Sequence, residues 1–100
     1  VVEEMPEFPG GMAECMKWLG KNIKYPTISQ ENGVQGRVII QFVVNRDGSI
    51  VDAQVARGVD PYLDKEALRV VGLMPKWKPG KQRGKEVRVK YTLPVMFRLQ

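Results

Sequence analysis

Histidine is missing from this chain altogether, and cysteine occurs once, as Cys15. Without histidine the usual general base, metal ligand and pH switch are gone. A lone cysteine excludes an intramolecular disulfide and any cysteine-based zinc site. Hydrolase triads and most metal centres lose their main player, so no catalytic residue, metal or cofactor is expected, and the chain does not read as an enzyme. No GxGxxG or GxxxxGK run is present, so Gly36 and Gly80 read as backbone permissions and not as a phosphate cradle. No stretch approaches the roughly eighteen apolar residues of a membrane-spanning helix. The opening VVEEMPEFPGG has neither a basic nor an apolar leader region, so a signal peptide is not expected. It also lacks an initiating methionine, and the expectation is a fragment of a longer protein with any anchor lying upstream.

What is there suits one small domain: 100 residues, 43% hydrophobic and 27% charged. The net charge of +5 is unevenly placed. Glu3, Glu4, Glu7 and Glu14 open the chain with no base among them, whereas Lys76, Lys78, Lys81, Arg83, Lys85, Arg88 and Lys90 face only Glu86. Such a patch attracts anionic partners over about 8 Å in physiological salt. It reads equally as a solvated loop and strand face.

Residues 1–10 form an extended, proline-broken lead-in, and residues 11–100 the domain proper. Met12, Cys15, Met16 and Leu19 fall at helical spacing and predict an amphipathic helix over 11–22, with Cys15 a buried, inert thiol on its apolar stripe. The residue before a proline is pushed out of the helical region, so Tyr25-Pro26 ends that helix. Thr27 and Gln30 have the spacing of a capping box for a short second helical turn, with Gly33 as its stop. Val38, Ile40, Phe42 and Val44 make one face of a first strand, and Ile39 and Val43 leave its other face partly apolar, as in a central strand. NRDG at 45–48 is a hairpin turn leading to a second strand, in which Val51, Ala53 and Val55 alternate with Asp52 and Gln54. Asp60 then caps a helix with Pro61 at its first position and Leu63, Ala67, Val70, Val71 and Met74 along its buried stripe. Asp64 and Glu66 read as helix-start charges. Trp77 is expected to pack over the sheet. KPGKQRGK is a basic turn, and Val87, Val89, Tyr91, Leu93, Val95, Phe97 and Leu99 alternate through the last strand.

The order helix-strand-strand-helix-strand predicts an α+β fold, a three-stranded antiparallel sheet with two helices packed on one face. The last strand pairs beside strand one or strand two, and the two-faced strand one argues for strand one in the middle. Pro94 refines this. Proline cannot donate to a sheet ladder, and residues of one parity in a strand point their backbone groups to the same side. Pro94 shares that side with Arg88, Lys90, Thr92, Met96 and Arg98, so the last strand is an edge strand with those groups open. Such an edge either is merely protected by proline and charge against aggregation or accepts an incoming extended peptide by strand addition.

FPGG at 8–11, YP at 25–26, GRV at 36–38, FVVNRDGSI at 42–50, DKEALRVV at 64–71, MPKWKPGKQRGKEV at 74–87 and LPVMF at 93–97 occur in an order that resembles the TonB C-terminal domain. FPGG and MPKWKPG are similar to Bacteroidetes-type members. The resemblance implies a TonB C-terminal-like fold at the end of a longer inner-membrane-anchored protein, exposed to the periplasm. It implies capture of the TonB box of outer-membrane transporters as an added strand. Force would come from ExbB and ExbD through the part of the protein not present here, driving import of siderophores, cobalamin or glycans. By position, the peptide-binding edge is Arg88, Val89, Lys90, Tyr91, Thr92 and Leu93, within a strand running from Val87 to Phe97. The second transporter-contact region is Asn22, Ile23, Lys24, Tyr25 and Pro26, where NIK replaces the glutamine-rich approach of better-known members. Tyr25 reads either as part of that contact or as a core residue closing the first helix. The family also implies that a homodimer through the exposed edge competes with the monomer.

Two other readings stand beside this one. A TonB-like domain is also found appended to membrane sensors and peptidases. A small basic module with Trp77 and Tyr91 superficially suits single-stranded nucleic acid, but Tyr91 alternates with core-facing residues, so no nucleic-acid partner is expected.

Overall fold

The structure, a computed structural model, describes residues 2–99. Helix α1 (Met12–Asn22) and a short α2 (Thr27–Glu31) precede strands β1 (Gly36–Val44) and β2 (Ile50–Arg57). Helix α3 (Pro61–Gly72) follows, then β3 (Gly80–Gln82), β4 (Lys85–Val87) and β5 (Val89–Phe97). The main sheet has the order β2-β1-β5 with both pairings antiparallel, so the strand apolar on both faces is indeed central.

Alternation builds the core. Val38, Ile40, Phe42 and Val44 of β1 are at most 1% exposed, and Leu93, Val95 and Phe97 of β5 lie beside them in the same layer. Both long helices close this face: Cys15 and Leu19 from α1, and Leu63, Ala67, Val70 and Val71 from α3, join the same cluster. Asp60 caps α3 as the sequence indicates, its Oδ1 accepting from the Leu63 N–H at 2.6 Å. Burial pushes the Cys15 thiol up to about 11, which leaves it protonated and unreactive. Trp77 is 2% exposed and sits among Phe8, Phe42 and Tyr91, its centroid 5.0 Å from that of Tyr91. The turn between β1 and β2 packs against it: Gly48, at φ 88°, accepts from the Trp77 N–H at 2.8 Å, and a Cβ there would stand 2.1 Å from the Trp77 carbonyl oxygen.

Several expectations are corrected. The capping box at Thr27 is not formed: Pro26 occupies the N-cap and no side chain caps α2. The basic turn at 78–85 is instead a small hairpin, β3 paired with β4, turning through Arg83 and Gly84 at φ 53° and 74°. Its strands are too short and polar to show an alternating pattern. The last strand is correspondingly divided. Val87 belongs to the hairpin, Arg88 is a one-residue joint, and β5 runs only from Val89 to Phe97. The lead-in pairs with that hairpin, with Glu4 opposite Lys81 and Glu7 opposite Lys78, and Phe8 is 5% exposed in the core. The acidic start and the basic stretch, far apart in sequence, are thus set side by side.

Glu66 is the other departure. Its charge is not an exposed helix-start charge: the residue is 9% exposed and faces the chain between α1 and α2.

Candidate functional site

The open edge of β5 is the feature that most needs a partner. β5 pairs with β1 without interruption from Val44–Val89 to Gly36–Phe97, and Pro94 stands opposite Ile39. Because Pro94 has no N–H to give, that pair is of the non-hydrogen-bonded kind, and Leu93 and Val95 turn their backbone groups to β1. By the same alternation Lys90, Thr92 and Met96 turn theirs outward. No other strand lies beyond β5 among the described residues.

The residues singled out from sequence divide into three groups. Val89 and Leu93 are buried, and Tyr91 is half-buried against Trp77 and Phe42, so these three side chains belong to the core layer. Lys90 and Thr92 are exposed and carry outward backbone groups. Arg88 is exposed in the joint before β5, with Nη2 3.6 Å from Asp52 Oδ2. The burial of Trp77 and the engagement of Tyr91 also leave no free aromatic platform for stacking bases along this basic stretch.

The segment Asn22–Pro26 is held elsewhere, against α3. The Lys24 N–H donates to Glu66 Oε2 at 2.6 Å. Arg69 donates from Nε to Glu66 Oε1 at 2.6 Å and from Nη2 to the Asn22 carbonyl at 3.1 Å. Burial alone would push the Glu66 carboxyl up, but the Arg69 guanidinium and the Lys24 N–H outweigh it and hold it below the usual carboxylate range. Tyr25 crosses edge-on over Phe97, centroids 5.6 Å apart, and its hydroxyl donates to the Val34 carbonyl. Burial, with the Asp60 carboxylate adding to it, raises the Tyr25 hydroxyl above its ordinary pKa. Tyr25 therefore closes the core. A cavity of about 390 Å³ opens beside this latch, lined in part by Lys24, Pro26, Tyr62 and Lys65. Sequence reasoning missed the latch; the spacing of Glu66 and Arg69 was its only local trace.

A second feature went unread. Met12 and Met16, expected on the buried stripe of α1, are 42% and 37% exposed. Met16 lines a groove of about 310 Å³ together with Leu19, Gly20 and Ile23 of the α1 side and Met96 and Arg98 of the β5 side. The groove runs beside the open edge.

Among the described residues no cluster of three His, Cys, Asp or Glu side chains is placed to hold a metal ion, and no helix is long and apolar enough to cross a membrane. What the site offers is a row of unpaired backbone groups between basic side chains.

Known proteins with this arrangement agree with one another. The Pseudomonas aeruginosa protein TonB is 32% identical over 78 residues, covering 76% of this chain and 22% of the relative. The Helicobacter pylori protein TonB is 33% identical over 49 residues, covering 48% of this chain and 18% of its own length. This chain thus spans less than a quarter of either relative. A solution structure of the Helicobacter pylori TonB C-terminal domain superposes with a TM-score of 0.66 at 26% identity, covering 92% of this chain and 87% of that one. The profile of the family described as Gram-negative bacterial TonB protein C-terminal matches residues 21–99, and the chain belongs to that family.

Proposed function

We propose that this chain is the receptor-engaging, non-catalytic domain of a TonB-type energy transducer, working in the periplasm. An extended segment of an outer-membrane transporter, the TonB box, adds to β5 as a fourth strand. It bonds to the outward backbone groups of Lys90, Thr92 and Met96, beginning near Arg88. The Asn22–Pro26 segment forms the second contact, through the exposed Lys24 and the backbone that the Glu66–Arg69 latch fixes in place. An inner-membrane anchor and linker elsewhere in the full protein receive proton-driven motion from ExbB and ExbD, and tension on the captured strand opens the transporter to its nutrient.

The observation that carries this reading is the straight, unpaired outer edge of β5, in a family whose longer relatives are named TonB. Main-chain bonding gives such capture its affinity, and the neighbouring side chains give it selectivity. The test is a backbone-amide NMR titration with plug-segment peptides from the source organism's transporters, and a single-stranded RNA as control. Shifts and slowed amide exchange at Lys90, Thr92 and Met96, with RNA silent at moderate salt, are expected. Silence of these amides toward every peptide would leave Pro94 as edge protection alone and would favour a domain appended to a membrane sensor.

A further inference from the structure

The lead-in is fastened unlike any strand of the main sheet. It lies along β3 and is joined to it at two places. Glu4 and Lys81 exchange N–H···O bonds of 3.0 and 2.9 Å, and Glu7 and Lys78 exchange bonds of 2.9 and 2.8 Å. Between them Pro6 has no N–H to give, so no continuous ladder forms. β5, by contrast, is paired to β1 at every residue from Val89 to Phe97.

Two side chains anchor the lead-in, and both reach toward β5. Pro6 and Phe8 are buried, and the Phe8 ring lies 5.9 Å from that of Trp77 and 6.1 Å from that of Trp18. Trp77 in turn meets Tyr91. Gly80 makes a second link: a Cβ there would stand 3.0 Å from the Glu4 carbonyl oxygen, 3.3 Å from Pro6 Cδ and 2.7 Å from Val89 Cγ2. The same spots therefore touch the lead-in and the first turns of β5. Beyond Phe8 the chain passes through Gly10 and Gly11, at φ 87° and 91°, into α1. Such a pair of freely rotating residues is where a peeled segment stops. Glu3, Glu4 and Glu7 face the basic stretch of Lys78, Lys81 and Arg83, yet no ion pair joins the two among the described residues. That attraction draws the segment back over a distance without locking it.

We infer that residues 3–9 are a load-sensitive strap: tension from the N-terminal side undocks them from β3 as far as Gly10 and Gly11 before the main sheet yields. The β3–β4 hairpin, with strands of three residues each, is too small to keep its shape alone, and it slackens. Val89 and Tyr91 lose their backing with it, and the grip of β5 on a captured strand weakens. The strap thus sets the load at which the domain lets go. This last step rests on the strand capture proposed above; the undocking does not.

The test pulls the whole chain in optical tweezers from handles at its two ends. An early, reversible extension, no longer than residues 3–9 can span, is expected before the domain unfolds. A disulfide clamp, Glu4→Cys with Lys81→Cys, should abolish that step when oxidised and restore it when reduced. Opposed residues of a hydrogen-bonded antiparallel pair stand within disulfide reach, and the native Cys15 is buried away from them. A single unfolding event with no early step, or a step that the oxidised clamp leaves intact, would overturn the strap.

Phe8→Ala loosens the strap without load. Amide exchange should quicken at Lys78 and Lys81, whose N–H groups bond to the strap, and also at Val89 and Tyr91, with peptide affinity about fivefold lower. Quickening at Lys78 and Lys81 alone would overturn the strap's control of β5. Where Phe8→Ala does not fold, the clamp supplies the same comparison: its oxidised form should slow exchange at Val89 and Tyr91 relative to its reduced form, and equal rates would overturn that control. Failure of every peptide to bind the native chain would overturn edge capture and its regulation together, while the early step still decides the strap itself.

Discussion

The two outer strands of the sheet are both edges, but only one is fit to be a template. β2 is broken twice against β1, once where Asp52 and Ala53 together oppose Phe42 and once at Ala56, and Asp52 is forced to φ 54°. Bulges of this kind twist an edge and scatter its free groups, a common protection against unwanted pairing. α3 also packs over β1 and β2 on the core side. β5, by contrast, keeps an unbroken register along its whole length, with α1 set back far enough to leave a groove. A single proline interrupts its outward hydrogen-bonding row. A protein that needed both edges silent would have bulged both, and the difference suits the proposal that β5 is the working edge.

Substitutions at the two edges sharpen that contrast. The largest effect is expected in the β1–β5 seam. Phe97→Ala removes a ring that is 1% exposed and carries Tyr25, and should cost about 3–5 kcal/mol in denaturant unfolding. The half-exposed Val55→Ala on β2 should cost about 1 kcal/mol. Equal losses would show that the two pairings share the core evenly.

Next in size, Thr92→Pro should weaken peptide capture by roughly 30-fold or more, about 2 kcal/mol, because it removes an outward donor and crowds the incoming chain. Its melting temperature should stay close to native. Unfolding of this variant would mean that Thr92 faces β1 and that the register is shifted by one residue.

The latch gives a third test. Glu66→Ala should destabilise by about 2 kcal/mol and loosen the amides of Ile23–Tyr25 to hydrogen exchange. Since the folded-state pKa of Glu66 is lowered, its contribution is fully present above the ordinary carboxylate pKa and is lost as pH falls through the folded value. Stability measured from about pH 6 to about pH 3 should therefore decline more steeply in the native chain than in Glu66→Gln. Parallel curves would remove the latch from the account. The smallest effect belongs to the blunted edge. Asp52→Gly relieves a left-handed residue and should raise stability by about 0.5 kcal/mol in denaturant unfolding, less whatever the exposed Arg88 pair contributes.

Much of the molecule follows from residue order alone. Strict alternation defines β1 and β5, helical spacing with Asp60 and Pro61 defines α3, and Pro94 makes β5 an edge, because each signal is carried by neighbours a few residues apart and is rooted in backbone geometry. The burial of Cys15 and the identity of the family were legible for the same reason. Tertiary structure alone decided the rest. The β3–β4 hairpin has no apolar period to announce it, and its place beside Glu4 and Glu7 depends on contacts across most of the chain. Glu66 looks like any helix carboxylate until the Lys24 N–H meets it, 42 residues away in sequence. The exposure of Met16 on a stripe that reads as core depends on how far α1 stands from β5. Periodicity tells which face of a helix is apolar; only packing tells how much of that face is left uncovered.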